Sequence, residues 1–439
     1  MRKLLPVLLL LLLLPAAALA ATEMTITPYE KGFDYDITAN GESWIVLIWD
    51  SADEDGRITL YAEDGHFTGS VDLPWGDKGG KYTVTAQNLK QYKLASKTVS
   101  IPKAASYIAP TGKANATVKN LTLTATATGF KYSFVAEGTD YMLLYFRSKQ
   151  QNATFPVYPV NGEGLYEGEV VADLTYARTL FTVQVRSGAN KSKKEATVRM
   201  EYEAPEAPAQ QPGRLSGVVV CIDPGHQENG QYVKEPNGPG LSGYSTTKGG
   251  MAQGKVTLRK EDIVVLETGM ILRDLLLKEG ATVVMTRTTQ TEYHTNQERA
   301  EIAEQGGAHI MLRLHCNYSS TTSKSGIQIY CPLNSDYAKA VADSTEYRAM
   351  GEAFLKEMKL ATGYELSDKT GIVRLNDKYV GSNWAKMVCF LVEMGYMSNS
   401  VEDLKLATPE YQTMLSEGMV EGIYQVALMR GWVEAPDAD

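Results

Sequence analysis

Cysteine is scarce in this chain of 439 residues: Cys221, Cys316, Cys331 and Cys389 are the only four, all in the C-terminal half. None forms a CxxC pair, which argues against a structural cysteine–zinc site. Each lies in or beside an apolar run (VVVCID, MLRLHC, IQIYC, MVCFLVE), the setting of a buried free thiol that packs as a small hydrophobe. A Cys316–Cys331 disulfide is the alternative. Basic charge is also in short supply. There are 43 Lys and Arg against 52 Asp and Glu, a net charge of −9, or −11 without Arg2 and Lys3. Nucleic-acid binding needs clustered cations and is excluded as a function class. General attraction to an anionic wall or membrane is excluded with it. Long hydrophobic runs are missing too. Beyond the N-terminal run, no segment reaches the ~18 uninterrupted apolar residues of a membrane span, so no stable membrane insertion is expected of the mature chain.

One shorter apolar run is present, from Leu4 to Leu14, behind the positive start Met1-Arg2-Lys3. Pro15 and small residues follow, and Ala18-Leu19-Ala20 fits a small-x-small cleavage site. Residues 1–20 read as a secretory signal peptide, and the protein as secreted, extracellular or associated with a cell wall. A hydrophobic fraction of 44% with 22% charged residues is that of a folded protein, and the length asks for two to four domains.

The N-terminal half repeats itself. Gly32-Phe33-Asp34-Tyr35 recurs as Gly129-Phe130-Lys131-Tyr132, an offset of 97 residues that also carries Gly41 to Gly138, Trp44 to Tyr141 and Tyr61 to Tyr158. Runs such as TGSVDLP, KYTVTAQ, LTLTATAT and FTVQVRS alternate with the period of two of half-buried strands. Two all-β, immunoglobulin-like sandwich modules are expected, at 22–103 and 104–203. Wall glycans are candidate ligands of these modules. Their aromatics Trp44, Trp49, Trp75 and Tyr141 are assigned to packing ahead of a glycan-stacking platform. Residues 204–214, with three Pro among Ala, Gln and Glu, form a semi-extended linker.

From 215 to 434 the texture changes. Gly217–Asp223, Ala281–Thr286, Ile310–Leu314, Ile327–Tyr330 and Met387–Val392 read as strands buried on both faces. Helical spacing marks 261–279, 296–305, 337–361 and 410–430. The expectation is an α/β domain with a mostly parallel twisted sheet flanked by helices, its site at the carboxyl ends of the strands. Those ends carry Asp223-Pro224-Gly225-His226, His315-Cys316-Asn317 and Glu393-Met394-Gly395, and Glu261 opens the first helix. Two imidazoles and a carboxylate are a recurrent ligand set of catalytic zinc, and a second carboxylate nearby takes the proton of the attacking water. The chemistry indicated is metal-assisted hydrolysis.

IDPGHQ, the Glu of RKEDIVVLETG, VVMTR, RAEIA, RLHCN and FLVEMGYMSN stand in the order seen in zinc-dependent N-acetylmuramoyl-L-alanine amidases, which the C-terminal half resembles. The resemblance implies that His226, Glu261 and His315 bind Zn²⁺ and that Glu393 is the catalytic base. It also implies a substrate, peptidoglycan, cut between the lactyl group of N-acetylmuramic acid and L-alanine. Glu267 competes with Glu261 on the same helix, since acids are common in first turns. Candidate substrate-binding residues are Asn317, Arg287 and Asn399, with Arg287 and Arg299 also able to anchor structure. His309 falls at the far end of its strand, while His66 and His294 lie in loops. The segment 227–258, rich in Gly and Pro, reads as a loop walling the substrate groove. The competing functions are a wall-binding protein with an inactive amidase-like domain, and a different zinc peptidase.

Overall fold

The computed structural model describes residues 22–435 apart from 74–75, 108, 115, 127–128, 148–151, 161–163, 172–179, 187–191, 200–203, 229–231, 247–250 and 365–371. The expected signal peptide and Trp75 lie outside the described residues.

Among the described residues, the alternating runs of the N-terminal half form fourteen strands. The first seven are β1 (Glu23–Tyr29), β2 (Gly32–Thr38), β3 (Trp44–Asp50), β4 (Glu54–Tyr61), β5 (His66–Asp72), β6 (Gly80–Asn88) and β7 (Lys93–Ile101). The second seven are β8 (Val118–Ala125), β9 (Gly129–Ala136), β10 (Met142–Arg147), β11 (Asn152–Val157), β12 (Leu165–Val171), β13 (Leu180–Arg186) and β14 (Ser192–Arg199). Strands β1-β2-β5 and β8-β9-β12 make equivalent three-stranded sheets, and the remaining eight form one sheet in the order β14-β13-β10-β11-β4-β3-β6-β7. Each module therefore has three strands facing four. Phe33, Ile37, Leu47 and Val84 fill the first core, and Phe130, Phe134, Leu144 and Val183 the second. The immunoglobulin-like expectation resolves to this two-sheet β architecture, the modules being stitched edge to edge where Asn152 and Ala153 pair with Asp55 and Glu54.

The repeated tetrapeptide has a packing reason. Tyr35 is the register partner of Gly69, and Tyr132 of Gly168. A Cβ on either glycine would come within 2.5 Å of the tyrosine hydroxyl oxygen, so each ring covers a residue that has no side chain. Trp44 and Trp49 are buried and unavailable for glycan stacking.

The C-terminal half is built on a six-stranded sheet. Its strands are β15 (Val219–Pro224), β18 (Thr282–Met285), β19 (Ile310–Asn317), β20 (Gln328–Cys331), β21 (Ile372–Leu375) and β22 (Val388–Tyr396), ordered β18-β15-β19-β22-β20-β21. The short strands β16 (Lys234–Pro236) and β17 (Tyr244–Thr246) pair as a hairpin within the long loop. Four of its five strand pairings are parallel, as expected, but β20 runs antiparallel to β22, so the sheet is mixed. Residues 318–327 between β19 and β20 contain no helix, and so short a connection cannot make the crossover that parallel pairing requires.

The helices are α1 (Glu261–Lys278), α2 (Asn296–Gln305), α3 (Asp336–Val341), α4 (Ser344–Thr362), α5 (Val380–Trp384), α6 (Ser400–Leu406) and α7 (Pro409–Arg430). The single helix expected over 337–361 is split, because the Asp343 carboxylate accepts hydrogen bonds from the amides of Thr345 and Glu346 and starts a new helix. Strand alternation sorts the sheet into two faces. Val220, Ile222, Leu312, Leu314, Phe390 and Val392 join one core with α1, α4 and α7. Cys221, Met311 and Cys389 point the other way, towards Ala303 of α2 and Ala385 beside α5. All four cysteines are buried and unpaired.

The first β module is docked, not tethered. Trp44, Val46 and Leu89 belong to the same apolar cluster as the C-terminal half. The Trp44 ring meets Tyr411 edge-on at 6.1 Å, with the Lys405 ammonium 5.5 Å from the Trp44 ring. The Pro-rich segment lies along α1: the Gln211 amide donates to the Leu277 carbonyl at 2.9 Å, and Arg273 donates to the carbonyl of Pro205 at 2.9 Å.

Asp223, at the end of β15, is wholly buried. Its carboxylate accepts from Arg299 at 2.5 Å, Arg313 at 2.9 Å and the Thr286 hydroxyl at 2.6 Å. Burial alone would raise its pKa, but the two guanidinium charges hold it far below the ordinary carboxylate range. A depressed native pKa contributes stability that is full above the unfolded value of ~4 and is lost as pH falls below it. Asp223→Asn leaves two buried guanidinium groups short of their counter-charge. It should cost ~3–5 kcal/mol of stability at neutral pH, read from denaturant melts. The gap between variant and wild type should narrow on acidification.

Candidate metal and active site

Two neighbouring strands supply the first pair of side chains. His315 of β19 and Glu393 of β22 are register partners, and Arg313 and Leu391 sit two residues earlier on the same face. That face is the one covered by α2 and α5. These helices have only 10 and 5 residues, and the carboxyl ends of the strands emerge from beneath them into a cleft of about 820 Å³. Long helices on the opposite face give no such opening.

His226 comes from the loop after β15 and has a backbone φ of +59°, an unfavourable value for a residue with a Cβ. Two buried arginines hold the loop in that conformation. Arg287 donates to the carbonyls of Pro224 (2.8 Å), Gly225 (2.9 Å), Asp262 (2.8 Å) and Thr289 (3.0 Å). Arg299 donates to those of Pro224 (2.8 Å) and His226 (2.9 Å). Gly225 has no substitute here, since a Cβ at that position would lie 2.3 Å from Cε1 and 2.5 Å from Nε2 of His315. Arg287, a sequence candidate for substrate binding, is fully buried. Its guanidinium is spent on backbone carbonyls, and burial pulls its pKa down to about 9. It holds the loop, not a substrate.

Glu261 enters from the opposite side, at the amino terminus of α1, where the helix dipole favours a carboxylate. Oε1 lies 3.1 Å from His226 Nε2 and 3.0 Å from His315 Nδ1, and also accepts from the Cys316 amide at 3.0 Å. Oε2 accepts from the Ala252 amide at 2.8 Å. Burial would raise this carboxyl, but the two imidazoles and these hydrogen bonds hold it well below the usual range. Burial lowers the pKa of His315, favouring the neutral imidazole that ligates metals. Glu267, the competitor, is absorbed elsewhere: Arg259 donates to both its oxygens, at 2.6 and 2.5 Å.

The ligand atoms of His226, Glu261 and His315 all lie within 4.8 Å of one another. Four donors at the ~2.0–2.2 Å bond lengths of zinc stand about 3.3 Å apart, close to the Glu–His separations here. A two-histidine, one-carboxylate set with open space beside it fits a catalytic zinc. Glu393 faces this group from β22. Its Oε2 is buried without a hydrogen-bond partner among the described residues, and burial, then the charge of Glu261, push its pKa well above the ordinary carboxylate value.

The long loop lines the cleft with Ser245, Thr246, Met251, Ala252 and Gln253. It is pinned by Glu235, whose carboxylate accepts from Asn296 Nδ2 and the Gln297 amide, each at 2.9 Å. Asn317 lines the cleft as well, its side chain donating to Gln328 at 3.3 Å. Asn399 does not: it caps α6, accepting from the Val401 amide at 2.9 Å, and ties down the Lys324 carbonyl at 3.1 Å. His309 accepts from the Val219 amide at 3.0 Å at the other end of its strand. His66 pairs with Asp36 in the first β module, and His294 faces Glu292. Two cleft residues, Lys378 and Tyr379, had no motif to announce them. Arg313 could have been found, since RLHCN puts it two residues before His315 and therefore on the same face.

Residues 220–425 match the family described as N-acetylmuramoyl-L-alanine amidase. A germination-specific N-acetylmuramoyl-L-alanine amidase of Bacillus subtilis is 26% identical over 234 residues, spanning 49% of this chain and 83% of the relative. A probable cell wall amidase of Staphylococcus aureus is 25% identical over 210 residues, 48% of this chain and 58% of that protein. Among solved structures, an N-acetylmuramoyl-L-alanine amidase from Clostridium difficile 630 aligns over 49% of this chain and 98% of its own, with 22% identity and a TM-score of 0.38. By the family match over residues 220–425, the C-terminal half of this chain belongs to the N-acetylmuramoyl-L-alanine amidases, a family of hydrolases that act on peptidoglycan.

Proposed function

We propose that this protein is a secreted, wall-associated, zinc-dependent amidase. It hydrolyses the amide between the lactyl group of N-acetylmuramic acid and L-alanine of the peptidoglycan stem peptide. The observation that carries the reading is the convergence of His226, Glu261 and His315 on one point of an open cleft, with Glu393 beside them as the register partner of His315. The cell-wall amidases among the relatives support the substrate, and the short apolar run after Met1-Arg2-Lys3 supports export. The two β modules extend the catalytic half, the first of them held to it by the contact of Trp44 with Tyr411.

His226, Glu261 and His315 hold the ion; when bound, zinc supplies Lewis-acid polarisation of the scissile carbonyl and makes water a better nucleophile at neutral pH. Glu393 accepts the proton of the attacking water. Its raised pKa makes it a stronger base than an exposed carboxylate, and the proton it takes up is then returned to the departing amine of L-alanine. Arg287 and Arg299 act at one remove, fixing the backbone that aims His226. Asn317 and Tyr379, both lining the cleft, are placed to contact the stem peptide.

The purified protein should carry about one zinc per chain by atomic spectroscopy. His226→Ala and His315→Ala should each abolish that content, and a strong chelator should stop hydrolysis until zinc is returned. Full activity after verified metal removal would sink the mechanism. Product analysis on muropeptides should show new L-alanine amino termini; cleavage within the peptide instead would mean a wall peptidase.

The two carboxylates do separate work. Glu393→Gln keeps the shape and removes the base, so zinc should stay while turnover falls ~10²–10⁴-fold. Glu261→Ala should lose zinc, with part of the activity returning in excess metal. Zinc lost from Glu393→Gln but retained in Glu261→Ala would reverse the assignment.

A further inference from the structure

The catalytic cleft continues past Asn317 and Tyr318. Both residues also line a second cavity of about 480 Å³, whose other walls include Lys324, Gln328, Tyr330, Arg374 and Tyr396. Among the described residues, none that lines this cavity is acidic and two are cations, in a chain whose net charge is −9. Its polar floor is pre-set. The Tyr330 hydroxyl donates to Gln328 Oε1 at 2.7 Å, and Gln328 Nε2 donates to the Tyr396 hydroxyl at 2.8 Å. The loop carrying Lys324 is anchored from two sides, by Asn399 on the Lys324 carbonyl at 3.1 Å and by Glu402 accepting from the Gly326 amide at 2.7 Å.

Register places this cavity relative to the reacting bond. Gln328 of β20 lies opposite Glu393 of β22, and Tyr330 of β20 is the partner of Arg374 on β21. Opposed residues share a face, so Arg374 and Glu393 project from the same side of the sheet, two strands apart. Tyr330, and with it Arg374, stands level with Leu391, two residues before Glu393. Two inter-strand steps of ~4.8 Å across and two residues of ~3.3 Å along the strand make about 12 Å. An extended peptide covers about 3.3–3.6 Å per residue, so that distance is about three residues.

We propose that Arg374, assisted by Lys324, forms a subsite for a carboxylate on the third residue of the stem peptide and thereby selects for anionic stems. The proposal rests on the amidase reading above and deepens it. Arg374 is a specificity residue two strands away from the chemistry. Its planar fork suits a carboxylate, while Lys324 adds a point charge.

The test compares muropeptides whose carboxylate at the third residue is free or amidated, hydrolysed by the full chain. The wild type should show a lower KM for the free acids. Arg374→Gln should raise KM for the free acids by about 5–10-fold, leave kcat within about twofold, and leave the amidated substrates unaffected, as loss of a partly exposed charge contact predicts. Arg374→Lys should keep part of the preference, and Arg374→Glu should reverse it. Arg374 is on an exposed edge, and unchanged thermal melts should show that these variants fold. If Arg374→Gln and Arg374→Glu treat both substrates as the wild type does, the subsite is overturned while the amidase reading stands. If the wild type cleaves neither substrate, the amidase reading falls and this subsite with it.

Discussion

Asp223 shares one buried carboxylate between the guanidinium groups of Arg299 and Arg313, and the site is arranged around that contact. Arg299 brings in α2 and reaches on to the backbone of His226; Arg313 brings in the strand that carries His315 two residues later. A single acid thus ties together the loop, the helix and the strand that present two of the three candidate ligands. Two like-charged guanidinium groups so close in a dry interior would be costly without it. Arg287, also buried, completes the arrangement by taking the carbonyls of Pro224, Gly225 and Asp262. The strained φ of His226 persists because these bonds leave the loop few alternatives.

An asymmetry in helix length makes room for chemistry. On one face α1, α4 and α7, of 18, 19 and 22 residues, cover the sheet from end to end. Gly418 and Gly422 of α7 let α4 approach so closely that a Cβ on either would strike Met358 or Phe354. Among the described residues the other face has α2 and α5, so strands whose side chains alternate between faces bury apolar residues on the first and turn Arg313, His315, Leu391 and Glu393 towards the cleft on the second. The hairpin and loop before α1 then close the cleft from the side without filling it.

The N-terminal modules reuse one plan twice, and the copies have diverged in what their edges meet. Trp44 tilts against Tyr61 as its counterpart Tyr141 does against Tyr158, but Trp44 in addition meets Tyr411 of the C-terminal half. The first module is thus bound to the hydrolase half by a buried aromatic contact, and the second is held by the β4–β11 edge pairing.

Much of this was legible in the sequence because it depends on local pattern. Period-two runs marked the β modules, the offset of 97 marked their repetition, and apolar runs ending in DPGH, HCN and EMG marked the strands and the residues at their ends. Single-sequence pattern left other things open. Glu261 and Glu267 are both acids near the start of α1, and only the fold turns one towards two imidazoles and the other towards Arg259. Arg287 read as a possible substrate contact because burial is not written in a residue's name. The reversed direction of β20 follows from where a ten-residue connection can lead, and the partners of Arg374 from which strands lie side by side. Sequence determined which residues are the candidates for the chemistry. Tertiary structure decided which of them meet, because a contact between residues 226, 261, 315 and 393 depends on strand order and helix placement that no local pattern records.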